Sequence, residues 1–131
     1  MVETLCLAFA IWFECRGCDN RIDQIAVGNV VMNRVGDTTG EFREYNSACS
    51  VINQEGHWPW TGLEPKFQNE IDRKEWNRIL ELASEVKDGY HGDVTDGAKW
   101  FHGSHVSYTW TRNLERVSVG SGVHTFWRKT Q

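Results

Sequence analysis

The chain of 131 residues holds only two prolines, no run of basic residues and no apolar stretch of membrane-spanning length. Each shortage excludes something. With no linker, low-complexity tract or internal repeat, nothing divides the chain, and residues 1–131 are expected to form one domain with a core of its own. A formal net charge of −4 gives no reason to expect nucleic acid as a partner, because phosphate contacts require clustered Lys and Arg. The apolar run from Leu5 to Phe13 is too short to cross a bilayer. It also lacks the basic segment before it and the small-residue cleavage site after it that mark a secretory signal, so it reads as a buried helix.

What the chain does have is tryptophan, seven in all, at positions 12, 58, 60, 76, 100, 110 and 127. Some must fill the core, since an indole occupies space that a small domain otherwise struggles to fill. Trp58 and Trp60 flank Pro59 in the polar stretch "EGHWPWTG", where burial of both is not expected and flat faces would suit sugar rings. There are four cysteines. Without an export signal they point to a reducing compartment and free thiols. Cys15 and Cys18 form a C-x-x-C pair, but no second pair lies at zinc-finger spacing, so neither a metal nor another cofactor is expected.

The elements read as mostly helical. Val2 to Cys15 has helical composition, with "RG" at Arg16 and Gly17 as the stop. A second helix is predicted from Arg21 to Arg34, capped by Asn20, with Ile22, Ile25, Ala26, Val30 and Met32 on a buried arc. A short helix is predicted over Cys49 to Gln54, and an irregular segment from Glu55 to Pro65. From Asn69 to Lys87, the spacing of Ile71, Trp76, Ile79, Leu80, Ala83 and Val86 predicts a helix that Gly89 ends. "AKWFHGSHVSYTW" and "GVHTFWRKT" are rich in aromatic and β-branched residues and predict two or three short strands. The fold class is α+β, mostly helical, with a small sheet or hairpin in the C-terminal third.

One acid stands out. Ile11, Ala10 and Leu7 precede Glu14 by three, four and seven residues, so on a helix the carboxylate continues an apolar stripe directed inward. Burial and the negative end of the helix dipole both disfavour its ionised form, and a carboxyl that keeps its proton near neutral pH can act as a general acid. A salt bridge to Arg16, Arg21 or Arg34 is the structural alternative. Asp19 and Asp23 are the nearest further carboxylates, and both read as capping residues of the second helix.

The segments "AFAIWFECRGC", "IAVGNVVMNRV", "CSVINQ", "GAKWFHGSHVSYTW" and "VGSGVHTFW", in this order and separation, resemble the SleB-type cell-wall hydrolases, which include spore cortex-lytic enzymes and some bacteriophage endolysins. The resemblance runs from about Leu5 to Trp127. It implies a lysozyme-like domain acting on peptidoglycan glycan strands, and it puts the family's catalytic glutamate, from a "F-E-A-R-G-E" motif, on Glu14. Cys15 and Cys18 depart from that motif, which commonly has Ala and Glu there, whereas Cys49 matches a cysteine common in the family. Gln54, Trp60, Phe101, His102 and Trp110 resemble positions that line the substrate groove; core packing is the alternative for each Trp, and a structural imidazole for His102. His102 and His105 in "HGSH" lack an H-E-x-x-H context and a third ligand for zinc. His124 matches a family position whose role the sequence does not supply, and a strand-supporting hydrogen bond is expected of it.

The resemblance implies a lytic transglycosylase that cleaves the MurNAc–GlcNAc β-1,4 bond with one acid/base, a single carboxylate sufficing because the muramic 6-hydroxyl is the nucleophile. A muramidase on the same bond would show two carboxylates. Two other classes compete. Cys49 at a helix start could serve as the nucleophile of an amidase or peptidase, and a Trp-rich domain could simply hold glycan. A start at Met1 without an export signal leads to the expectation of a monomeric phage endolysin, made in the host cytoplasm and acting on the wall after release, without membrane insertion.

Overall fold

A computed structural model describes residues 2–54 and 57–130. Glu55 and Gly56, at the head of the segment predicted to be irregular, lie outside the described residues. The chain is α+β: helices α1 (Val2–Cys15), α2 (Arg21–Val35), α3 (Ala48–Ile52) and α4 (Glu70–Lys87) come first, and strands β1 (Trp100–Gly103), β2 (Leu114–Val117) and β3 (His124–Lys129) follow. A short 3-10 turn, Thr109–Thr111, separates β1 from β2.

Helix α1 is the central element, packed against α2, α3 and α4. Its Leu7, Ala8, Ala10 and Ile11 are fully buried and Trp12 and Cys15 nearly so, as a helix apolar on most of its faces must be. The stop after Cys15 is not a left-handed glycine cap, since Gly17 does not adopt positive φ. The chain turns instead through a Cys18 N–H to Cys15 carbonyl hydrogen bond of 3.1 Å. The buried Gln24 amide of α2 donates to the same carbonyl at 3.0 Å and accepts from Arg78 at 2.7 Å, satisfying a helix end that burial would otherwise leave costly.

Asn20 caps α2 by accepting from the Ile22 N–H at 2.8 Å. Two apolar clusters meet on this helix: Ile25, Val27 and Val31 belong to the core shared with α1 and α4, while Ala26 and Val30 pack with Ala98, Val119 and Phe126 beneath the sheet. Ile22 departs from the expected buried arc and is 40% exposed, because it lies in the first turn beyond the reach of either cluster. A Cβ on Gly28 would lie 3.1 Å from Val86 Cγ1, which is how closely α2 approaches α4. On α4, Ile79, Leu82, Ala83 and Val86 are buried, but Ile71 is 77% exposed, since the first turn projects past the end of α1. The C-terminus closes with the Tyr90 N–H on the Glu85 carbonyl and the Gly89 N–H on Val86, both at 3.0 Å, with Gly89 at φ +76°; this is the Schellman arrangement that the glycine signalled.

The strands form an antiparallel sheet in the order β1-β3-β2. Phe101 and Phe126 are paired across β1 and β3 and stack at 5.6 Å over the α2 side. The third strand comes from "LERV", between the two segments predicted to be extended, while Tyr108 to Trp110 leads into the 3-10 turn.

The cysteines differ from expectation: all four are paired, as Cys6–Cys49 and Cys15–Cys18. A reducing compartment governs how often thiols stay free, not where the fold puts the sulfurs. Packing of α3 on α1 brings Cys49 to Cys6, beside a second tie in which Glu3 accepts a hydrogen bond from the Ala48 N–H. A sulfur bonded to Cys6 is no nucleophile, so the Cys49-dependent amidase or peptidase loses its reactive group. Among the described residues, no helix is long and apolar enough to cross a membrane.

Candidate functional site

Glu14 is the last residue but one of α1. The fully buried Leu7, Ala10 and Ile11 form the stripe beneath it, and the side chain emerges half-buried into a hollow of about 410 Å³. Asp19, Asn20, Asp23, Ser121, Val123 and His124 line this hollow with Glu14 and the Cys15–Cys18 turn. Burial raises the Glu14 pKa above the ordinary carboxylate value. The indole N–H of Trp60 donates to Glu14 Oε1 at 3.1 Å and pulls the other way, but desolvation is the larger effect. The structure holds Glu14 with an indole and not with Arg16, Arg21 or Arg34.

Trp58 and Trp60 depart from the expectation that both would not be buried: they are 7% and 6% exposed. Trp58 donates to the Val51 carbonyl at 3.0 Å. Trp60 stacks on Phe13 at 5.3 Å with 12° between the planes and meets Trp58 at 5.4 Å. With its faces covered in this way, Trp60 offers its N–H to Glu14 and not a platform for a pyranose. Phe13 precedes Glu14 on α1, so the ring that fixes Trp60 and the acid that receives its hydrogen bond come from adjacent residues.

The opposite end of the chain reaches the same hollow through the β2–β3 loop. Asp23, in the first turn of α2, is buried. Its carboxylate accepts from the Ser121 N–H at 3.0 Å and from the Ser121 hydroxyl. Neither Asp19 nor Asp23 is the cap of α2. That role belongs to Asn20, which leaves Asp19 exposed on the rim and turns Asp23 into a latch on the loop that delivers Val123 and His124. The latch needs a glycine beside it. Gly120 has φ +59°, and a Cβ there would fall 2.1 Å from Asp23 Oδ1. Gly120→Ala is therefore expected to lower stability by about 1–3 kcal/mol, read as a reduced urea midpoint; an unchanged midpoint would show the latch to be dispensable.

His124 is the residue that sequence reasoning left without a role. Its Nδ1 is buried and has no hydrogen-bond partner among the described residues, contrary to the expected strand-supporting bond. Burial lowers its pKa; Asp23 raises it and His102 lowers it, and the net shift is downward. Burial thus disfavours the charged form of this imidazole in the same hollow as an acid whose ionised form it also disfavours. Only the tertiary path of the β2–β3 loop brings the two together, and the one signal in the sequence is the "GVHTFW" segment.

Of the other expected groove residues, Phe101 and Trp110 line a second hollow of about 460 Å³ with Arg34, Glu41, His57, Trp100 and Leu114. Trp110 is 46% exposed and stacks on Tyr108 at 5.6 Å. Phe101 meets His124 edge-on at 5.2 Å, so it stands between the two hollows. His102 has both ring nitrogens engaged, Nδ1 with the Gly103 carbonyl at 2.8 Å and Nε2 with the Trp127 indole N–H at 3.0 Å. It is a structural imidazole with its proton on Nδ1. Gln54 follows α3, lines neither hollow, and its Oε1 is buried without a partner among the described residues.

The Glu14 hollow continues the other way. It shares Gly17, Cys18 and Asp19 with a neighbouring depression, which shares Trp12, Arg16 and Asp72 with a groove of about 700 Å³ lined by Phe13, Leu63 and Lys66. A run of linked depressions leading away from one acid suits an extended polymer better than a small molecule.

The sequence profile of the Cell Wall Hydrolase family matches residues 19–127. The matched segment contains Asp23, Gln54, Trp60, Phe101, His102, Trp110 and His124 and begins five residues after Glu14. No curated protein and no solved structure matches the chain.

Proposed function

Because this chain belongs to the SleB-type Cell Wall Hydrolase family, whose substrate is peptidoglycan, we propose that it cleaves the MurNAc–GlcNAc β-1,4 bond as a lytic transglycosylase with Glu14 as its one general acid and base. The observation that carries this reading is a half-buried carboxyl, its pKa raised by burial, opening into a hollow that adjoins further depressions along the surface. Glu14 gives its proton to the leaving glycosidic oxygen as the bond to the anomeric carbon breaks. The muramic 6-hydroxyl then attacks that carbon, and the Glu14 carboxylate accepts its proton, which returns the acid to its starting state and leaves a 1,6-anhydro end.

Of the two further carboxylates in the hollow, Asp23 is engaged and only Asp19 on the rim is left to serve muramidase hydrolysis. A hydrolase needs a second free carboxylate near the scissile bond, and both oxygens of Asp23 are engaged by Ser121. Mass spectrometry of digested peptidoglycan decides between them. Anhydro-muropeptides are the expected product; reducing ends would indicate a muramidase through Asp19, and free stem peptides would remove the glycosidase altogether.

The Trp60 contact moderates the effect of burial on the pH range. Its N–H favours the ionised form of Glu14, so Trp60→Phe lets the acid hold its proton to higher pH. The alkaline limb of the pH–rate profile is expected to move upward in this variant, and a limb that stays in place or falls would mean that Trp60 does not tune the acid.

A further inference from the structure

The Cys15–Cys18 pair is not used in the proposed reaction, and its third neighbour is invisible in the sequence. One ligand atom from each of Cys15, Cys18 and His124 lies within 4.8 Å of the other two, and all three residues line one hollow. We propose that, when the Cys15–Cys18 disulfide is reduced, these three side chains form a binding site for a thiophilic divalent cation of the zinc class. The site is independent of the glycan reading and requires only the described geometry.

Three features carry the inference. The C-x-x-C spacing is that of a zinc knuckle, and the turn that makes it has ties besides the sulfur–sulfur bond. The Cys18 N–H to Cys15 carbonyl hydrogen bond and the Gln24 amide on the same carbonyl hold it. His124 supplies a nitrogen from the far end of the chain, and its Nδ1 has no partner among the described residues. Tetrahedral zinc with bonds near 2.3 Å to sulfur and 2.0–2.1 Å to nitrogen puts its ligand atoms about 3.5–3.8 Å apart. On reduction the two sulfurs, bonded in the disulfide, must move apart to reach that separation, while the His124 nitrogen, within 4.8 Å of both, needs only side-chain rotation to close on them. Three protein ligands leave a fourth position open to water.

The chemistry balances with a phosphine as reductant. Tris(2-carboxyethyl)phosphine gives two electrons to the disulfide and becomes its oxide, taking oxygen from water. Each sulfur gains one electron and one proton, and both thiol protons leave to the buffer as the cation binds. Oxidised protein has no thiolate to offer and is expected to take up no metal there.

The test uses the whole chain, reduced by the phosphine and freed of it, with Co²⁺ as a visible probe and Zn²⁺ as competitor. The expected result is one tetrahedral cobalt–thiolate spectrum per chain, absent from the oxidised protein and displaced by zinc. In wild-type protein, Zn²⁺ should slow iodoacetamide alkylation of Cys15 and Cys18 at least about tenfold and leave Cys6 and Cys49 unprotected, as peptide mass mapping reads directly. His124→Ala, checked for its fold by circular dichroism, should weaken cobalt binding at least about tenfold, the loss that even an outer-shell partner causes. A reduced chain that binds no cobalt, folded or not, overturns the proposal. So does protection of Cys6 and Cys49 instead, or an affinity indifferent to His124.

Discussion

Glu14→Gln is expected to slow peptidoglycan clearing by about 10²- to 10⁴-fold or more, the range that a positioned general acid supplies. The substitution keeps the size and shape of the side chain and can still accept the Trp60 hydrogen bond, but it has no proton to give to a leaving oxygen. Glycan binding should survive, since the hollows remain. A module that only holds glycan would be indifferent to the change, so retained binding with lost clearing separates an enzyme from a binder. Stability gives a second readout. The raised pKa means that folded protein binds the Glu14 proton more tightly than unfolded protein, so its contribution is fully present below the unfolded pKa and lost as pH rises through the folded one. Glu14→Gln does not titrate, and its stability relative to wild type should rise across that window. Clearing at the wild-type rate would end the role proposed for this residue.

The second large effect concerns the clamp between α1 and α3. Cys6 and Cys49 are 43 residues apart in sequence, and closing a loop of that size contributes about 4 kcal/mol in the chain-entropy account of cross-links. The Cys6→Ala/Cys49→Ala protein is therefore expected to melt on the order of 10–20 °C lower than the oxidised wild type. Below its own transition it should still clear peptidoglycan, because neither sulfur belongs to the Glu14 hollow. Calorimetry and a clearing assay at low temperature check the two halves separately. An unchanged melting point would mean that the cross-link contributes no stability, and loss of clearing in folded protein would return Cys49 to the reaction.

Much of the helical frame was legible because its physics is local. Val2 to Cys15 has no breaker, Asn20 sits where a cap belongs, and Gly89 takes the positive φ that ends α4. The position of Glu14 followed from the same periodicity. What could not be read depended on partners distant in sequence. Trp60 looks loop-borne until Phe13 covers it. Cys49 looks free until α3 packs on α1. Asp23 looks like a helix-start acid until Ser121, 98 residues away, returns to it. Ile71 errs the other way, since periodicity continues to the first turn of α4 while the surface it would pack on has already ended.

Helix α2 lies between the helical core and the apolar cluster beneath the sheet, giving Val27 and Val31 to one and Ala26 and Val30 to the other. Peeling away β3 would strip Phe126 from one flank of the helix that supports α1, so melting of the C-terminal strands is expected to loosen α2. Amide protons of β3 and α2 should consequently exchange with a common opening free energy, making the last strand a reporter on the integrity of the first helix.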